Sequence, residues 1–585
     1  MRIPTASLLA FTVLHLLSPP AFAQQATDAV APEVESGREV KEPVKAARHM
    51  VVAANPVAAQ AGLDVLRQGG NAADALVAVQ TVLGLVEPQS SGLGGGAFLV
   101  WYDAASGTVT TFDGRETAPA AATGDLFMGK DGKPLGFFDA VVGGRSVGVP
   151  GVPRLLETVH RKYGKKDWSA LMQPAIDLSE RGFAVSPRLA TSIAEDAGRL
   201  DGQAAARAYF YDASGAPLAA GALLRNPEYA ASLKTIAAGG ADAFYTGPLA
   251  DAIVAAVRGH AANPGGLTAA DLAAYTVKER PAVCAPYRGL SVCGMGPPSS
   301  GGLTIGQILG MVEPFDLATL GPDDPESWRI LGDASRLAFA DRERYMADSD
   351  FVSMPKGLLD PAYLKARSAL IRRPTALPDD AVTAGEPPWD KAELRLDGRS
   401  FAVPSTSHFT IVDDDGNVLA MTTSVENAFG SRLMVAGFLL NNQLTDFSFS
   451  PEKNGAAVAN RVEPRKRPRS SMAPTIVLEN GKPVYALGSP GGSNIIGYVT
   501  STLVGLIDWK MDMQAAVSLP HLVNRFGPYE LEAGTSAEAM ADDLQALGYK
   551  TKIGPLNSGL HGIAIGPNGL AGGADPRREG VVLGD

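Results

Sequence analysis

Ser405-Thr406-Ser407-His408-Phe409-Thr410-Ile411-Val412-Asp413-Asp414-Asp415-Gly416-Asn417-Val418 reads as one strand and the turn of a β-hairpin, headed by hydroxyl residues. Apolar and polar side chains alternate from His408 to Val412, the acidic Gly/Asn segment makes a loop of roughly five residues, and the run from Val418 to Thr423 returns. Facing Val412 with Val418 sets Thr406 against Ser424. A threonine in that position suits a new N-terminus. Its freed α-amine, with a pKa of about 7.7 to 8.0, is partly neutral at physiological pH and lies beside its own hydroxyl as a built-in base. A neighbouring hydroxyl then orients the pair. Taken alone, the segment is better described as an ordinary solvated hairpin with Ser and Thr at its ends, so the rest of the chain decides.

The 585 residues carry 45% hydrophobic and 19% charged side chains, 65 Gly, 42 Pro and a formal net charge of −11. This is the composition of a globular, loop-rich protein rather than a disordered or fibrous one. The negative balance argues against nucleic acid or an anionic membrane as partner. One local exception, Arg465-Lys466-Arg467-Pro468-Arg469, directly precedes Ser470-Ser471 and is expected to raise the positive potential near an anionic substrate. At the other end, Arg2, the apolar run 6–17 and Ala21-Phe22-Ala23 make a secretory signal over residues 1–23. Residues 24–45 follow as a flexible lead. No cysteine follows the cleavage site to take a lipid, and no later apolar run reaches the roughly 18 to 20 residues of a membrane span. The mature protein is therefore expected without a membrane anchor, periplasmic or extracellular.

Several elements are legible. Apolar residues recur at helical spacing from Ala75 to Val86 behind Asn71 as N-cap, and an earlier helix runs from about residue 56 to Gln68, stopped by Gly69-Gly70. Further helices are expected over residues 494–506 and from a Thr535-x-x-Glu538 capping box to Gly548. A second hairpin flanks Glu479-Asn480-Gly481. Helices come early and hairpins lead the C-terminal third, which favours a layered sheet sandwich over alternating βα units. The only cysteines, Cys284 and Cys293, lie symmetrically about Arg288-Gly289 on a non-hydrogen-bonded pair of a two-residue-loop hairpin. There the Cα atoms approach to about 4.5 Å, so a disulfide is expected, with a structural role.

Two competing motifs fail on context. Gly144-Arg145-Ser146-Val147-Gly148 matches a serine nucleophile elbow, yet Val149-Pro150-Gly151-Val152-Pro153 follows where a helix should start at once. Gly92-Leu93-Gly94-Gly95-Gly96-Ala97 follows a helix and precedes a strand, the reverse of a dinucleotide loop. The seven histidines are scattered, and no metal site is expected.

From about Arg48 to the C-terminus the chain resembles the γ-glutamyltranspeptidase family of N-terminal-nucleophile hydrolases. The resemblance rests on ordered segments: Gly69-Gly70-Asn71-Ala72-Ala73-Asp74-Ala75, Ser90-Ser91-Gly92-Leu93-Gly94-Gly95-Gly96, Asp113-Gly114-Arg115-Glu116-Thr117-Ala118-Pro119 and Pro297-Pro298-Ser299-Ser300-Gly301-Gly302. It continues through Leu440-Asn441-Asn442-Gln443, Asp446-Phe447, Lys466-Arg467-Pro468-Arg469-Ser470-Ser471-Met472 and Gly488-Ser489-Pro490-Gly491-Gly492-Ser493. It implies an α+β fold, a four-layer αββα sandwich. It also implies a precursor that cuts itself between Ser405 and Thr406 into a large subunit (46–405) and a small one (406–585) sharing one core. No cofactor is implied.

The resemblance further implies a cycle of acyl transfer, in which Thr406 attacks the γ-carbonyl of a glutamyl amide such as glutathione. Water, an amino acid or a peptide then takes the acyl group. Ser424 supports the nucleophile, where many members have threonine, and Gly491 and Gly492 form the oxyanion hole. For the zwitterionic glutamyl head, Arg115 with Ser470 and Ser471 meets the carboxylate, while Gln443, Asp446 and Glu426 meet the ammonium. Taken by itself, Arg115 would equally pair with Asp113 or Glu116. Residues 449–465 are shorter than the lid some members carry and lack its tyrosine motif. The rival within the family is a cephalosporin (glutaryl) acylase, and of another class a non-catalytic secreted binding protein.

Overall fold

The computed structural model describes residues 36–389 and 405–585. The expected signal and the start of the lead, to residue 35, lie outside the described residues.

Two seven-stranded antiparallel sheets form the centre. The first runs, edge to edge, Val44–Ala46, Gly569–Ala574, His561–Gly566, Lys482–Gly488, Thr475–Glu479, Leu290–Gly294, Val283–Tyr287. The second runs Val581–Gly584, Met50–Ala53, Thr406–Val412, Val418–Ser424, Gly96–Asp103, Thr108–Gly114, Lys278–Pro281. Strand alternation sorts the side chains between layers. Met50, Val52, Val100, Val418 and Ala420 meet Ile476, Ala486 and Ile563 between the sheets. Their neighbours Val51, Ala53, Leu99, Trp101, Phe409, Ile411, Leu419 and Met421 face outward and pack with helices Pro56–Arg67 and Ala72–Val86. On the far side, Val292, Val477 and Leu487 pack with helices Gly301–Val312, Pro325–Tyr345 and Ile495–Ile507. The order of layers is α, β, β, α.

The predicted hairpin forms with the expected register, Val412 opposite Val418 and Thr406 opposite Ser424. Its first strand is interior to the sheet, bonded to Val418–Ser424 on one side and to Met50–Ala53 on the other. A cut before Thr406 therefore leaves strands of both products interleaved in both sheets. Asn71 caps its helix through a reciprocal box with Asp74. The second hairpin closes on Asn480-Gly481 with an irregularity at Val477/Leu478.

Two expectations need correction. Residues 36–45 of the lead are held rather than loose: Ser36 and Glu39 bond to the carbonyls of Arg577 and Pro576, Lys41 Nζ reaches the carbonyls of Asp575, Arg578 and Gly580, and Val44–Ala46 pairs as an edge strand. Backbone pairing outweighs the loop-like composition there. The box at Thr535 does not close, because Glu538 accepts from Gly534 N (2.7 Å). A 3-10 turn over Ser536–Met540 precedes a short helix, Ala541–Ala546.

Cys284 and Cys293 face each other across the Val283–Tyr287/Leu290–Gly294 hairpin and are bonded as a disulfide. The sequence separation is 9, and a loop of that size restricts the unfolded chain by about 2 to 3 kcal/mol. Replacing both cysteines with serine should lower unfolding stability by about 2 kcal/mol with activity retained, read from urea melts beside initial rates.

Candidate active site

The hydroxyl opposite Ser405 and Thr406 is fully engaged. Ser424 Oγ donates to Ser405 O (2.8 Å), accepts from Thr406 Oγ1 (3.1 Å) and accepts from Glu426 N (2.8 Å). A serine hydroxyl has one hydrogen and two lone pairs, so nothing remains unassigned. With its own hydrogen directed at Ser424, Thr406 Oγ1 keeps lone pairs for another centre. Ser405 is itself anchored, its hydroxyl bonded to the carbonyl of Gln89.

The glycine-rich turn after Ala72–Val86 explains how this corner is built. A Cβ on Gly95 would fall 2.2 Å from Ser424 O, and one on Gly94 would fall 2.1 Å from Leu439 O. Only bare backbone lets the hairpin end and the Leu440-Asn441-Asn442 loop close in. Asn441 Nδ2 then bonds Gly94 O (2.8 Å), and its Oδ1 accepts from Gln443 N (2.9 Å), which aims Gln443 and Asp446 into the cleft.

All the predicted site residues except Gly491 line this cleft together, and Arg342, Arg469, Met472 and Ile495 join them. Gly491 and Gly492 adopt positive φ (134° and 57°), the first as N-cap and the second as first residue of the helical segment from Gly492 to Ile507. Successive N–H groups at a helix start suit an anion.

Arg115 is fully buried. Its Nη2 pairs with Asp446 and its Nε donates to Pro468 O (3.2 Å). Neither surface partner considered from sequence takes its strongest bond: Glu116 stands 3.8 Å away, its carboxyl pushed up to about 8 by burial, and Asp113 accepts from the Arg115 backbone. The two charges expected to hold a zwitterion thus hold each other. Arg115 Nη1 and Gln443 Oε1, a donor and an acceptor, have no hydrogen-bond partner among the described residues. Glu426 bonds Asn442 Nδ2 at a φ of 83°, a costly conformation for a non-glycine residue and one that clusters at ligand sites.

The basic run behaves differently from expectation. Lys466 binds Glu463 (2.8 Å), Arg467 lies 3.3 Å from Asp113, and Arg469 binds Glu343 (2.7 Å), all three buried. Burial forces such charges into pairs, so the run supplies structure more than open positive potential. Ser471 accepts from Arg342 Nη2 (2.7 Å) rather than from Arg115, and Ser470 Oγ caps Met472 N (3.1 Å). Arg342 is the residue the sequence reading missed. It sits on the long helix Pro325–Tyr345, bonds Ser300 Oγ (2.9 Å), pairs with Glu343, and is held down to about 9 by burial and by Arg469. The signal available was a helix rich in Asp, Arg and Glu, which composition alone assigns to solvent.

The rival serine is elsewhere in chemistry: Ser146 Oγ is buried and donates to Val141 O (2.6 Å), and the next helix begins only at Val152. Residues 449–465 hold a small ribbon, Glu452–Lys453 against Ala456–Ala457, at the surface.

Residues 58–585 match the family model described as gamma-glutamyltranspeptidase. The glutathione hydrolase proenzyme of Bacillus subtilis (strain 168) is 37% identical over 548 residues, covering 92% of this chain and 91% of that one. The glutathione hydrolase proenzyme of Escherichia coli (strain K12) is 36% identical over 562 residues, 94% of each. Among solved structures, a cephalosporin acylase from Bacillus halodurans superposes with a TM-score of 0.80 at 26% identity, over 95% of this chain and 99% of that one.

Truncating Arg342 would leave Glu343 paired with Arg469 but strip the donors from Ser300 Oγ and Ser471 Oγ. The substitution Arg342→Met should cost about 1 to 3 kcal/mol of stability, measured by chemical unfolding, whereas Arg342→Lys should recover part of it.

Proposed function

The chain belongs to the γ-glutamyltranspeptidase family, and from that premise we propose that Thr406 is the nucleophile of a γ-glutamyl hydrolase and transferase that first cuts its own chain. The observation that carries this reading is the three-bonded Ser424 hydroxyl, which touches both the scissile carbonyl and the attacking oxygen.

In the precursor, Thr406 Oγ1 adds to the Ser405 carbonyl carbon. Its proton passes to Ser424 Oγ while the Ser424 proton moves to the carbonyl oxygen. Collapse breaks the C–N bond, the Thr406 nitrogen takes the proton, and an ester remains. Water hydrolyses that ester, releasing a Ser405 carboxylate and a Thr406 with a free amine. Each step balances without a further reagent.

In the mature cycle the amine withdraws the Thr406 hydroxyl proton as the oxygen attacks the γ-carbonyl. The Gly491 and Gly492 N–H groups receive the developing oxyanion, a contribution typically of about 10² to 10³ in rate per donor. The leaving amine takes the proton, and water or an amino acid or peptide amine resolves the γ-glutamyl ester. Arg115, with Ser470 and Ser471 close by, takes the substrate carboxylate. Asp446, Gln443 and Glu426 take the ammonium, so a bound zwitterion exchanges the internal Arg115–Asp446 pair for two external ones. Glutathione fits this head. A glutaryl amide, the acylase substrate, lacks the ammonium and would bring no cation to Asp446 and Glu426 in exchange for the Arg115–Asp446 pair it breaks. We also read the N-terminal segment as an export signal; no helix among the described residues is long and apolar enough to cross a membrane.

Intact mass and N-terminal sequencing should give two chains for the wild type, the smaller starting at Thr406, and one uncut chain for Thr406→Ala. Glutamate release from glutathione should appear only in the cut protein. Cut protein that releases no glutamate but hydrolyses glutaryl amides would move the assignment to the acylase. Ser424→Ala should slow self-cleavage on the order of 100-fold, followed on a denaturing gel. Asp446→Asn should raise the KM for glutathione about 10- to 100-fold while leaving a glutaryl amide nearly unaffected.

A further inference from the structure

The strand Thr406–Val412 outruns its neighbour. Met50–Ala53 pairs with it only from Phe409 to Val412, so Thr406, Ser407 and His408 lie past the last bonded pair on that edge. A buried carbonyl there needs a donor from elsewhere. The C-terminal segment provides it: Arg578, 1% exposed, sends Nη1 to Thr406 O at 3.0 Å. Gly559 makes the passage, since a Cβ there would lie 2.8 Å from Arg578 Cδ, and Lys41 Nζ holds the Arg578 carbonyl (2.6 Å).

We propose that Arg578 is a positioning residue with two tasks: it replaces the missing strand partner of Thr406, and its cation keeps the α-amine freed by cleavage in the base form. This inference rests on Thr406 being the nucleophile. The guanidinium binds the carbonyl of the very residue whose nitrogen becomes the amine, and a cation that close disfavours a second one. A shift of about one unit is the scale for such a neighbour.

The other charges around Thr406 act in pairs or from behind. Glu87 lies under Ser407, on the opposite face of the strand; it is bound by Arg188 (2.6 Å), whose backbone N in turn bonds Glu579, and with Asp575 and Glu579 it also attracts the Arg578 cation from behind. Across the cleft Arg115 faces Asp446, and Arg342 and Arg469 share Glu343. Glu426, beside Ser424, opposes Arg578 by favouring a protonated amine. His408 and His561 are kept neutral by burial.

The test is the acid limb of kcat/KM for hydrolysis of a γ-glutamyl anilide, measured on self-cleaved wild type, Arg578→Gln and Arg578→Lys. Gln can keep a donor without the charge, and Lys keeps the charge. The expected result is a wild-type limb below about 7.7, the ordinary α-amine value, an upward shift of about one unit in Gln, and a limb in Lys close to wild type. A Gln profile superimposed on wild type overturns the inference, as does a wild-type limb at or above about 8. If Gln stays uncut, the wild-type limb alone decides. A self-cleaved wild type with no γ-glutamyl hydrolysis at any pH would count against the proposed function instead.

Discussion

Everything at the centre of this molecule depends on one strand being held from both sides. Thr406–Val412 bonds Val418–Ser424 along its whole length and Met50–Ala53 along its C-terminal half. Hydrophobic packing alone would not place a hydroxyl oxygen to within a few tenths of an ångström. The ladder does, because a slip of one residue would turn Thr406 away from the inter-sheet face and send Phe409 and Ile411 into it. The helix layer that buries Phe409 and Ile411 therefore fixes the position of a polar group three and five residues away.

The second constraint is electrostatic. Arg115, Arg188, Arg342, Arg469, Arg577 and Arg578 are all buried. Buried cations survive only with partners, and these partners are carboxylates or carbonyls, some close in sequence and others drawn from distant parts of the chain. Arg577, for example, binds both Glu532 and Asp575, which anchors the segment that delivers Arg578 to the back of Thr406. Specific positioning has been obtained at a cost in desolvation: burial raises Glu116 against the pull of Arg115, and burial with the neighbouring Arg469 lowers Arg342.

Much of this was legible because local rules and the fold agree. Alternation from His408 to Val412 and the facing of Thr406 with Ser424 needed only strand periodicity. Asn71 and Gly69-Gly70 marked helix ends through capping chemistry, and Arg288-Gly289 placed the two cysteines opposite each other. What was not legible depends on long-range pairing. Nothing near Arg342 in sequence announces Ser471, 129 residues away, and nothing near Arg578 announces Thr406, 172 residues away. The basic run was misjudged for the same reason: Asp113 and Glu343, the partners of Arg467 and Arg469, come from elsewhere, so these two charges are paired inside the protein. Residues 36–45 looked like a tether because their composition says nothing of the free sheet edge that receives them.

The interleaving of strands from either side of residue 406 has a consequence for the protein's lifetime. Before the cut, folding is a search by one chain whose ends are tied. After it, the same architecture consists of two chains, each supplying strands to both sheets, and neither half carries a complete sheet. Unfolding the processed form thus converts a unimolecular return path into a concentration-dependent encounter between fragments with exposed sheet edges. Maturation acts as a ratchet: the protein persists by the height of its unfolding barrier rather than by its ability to refold.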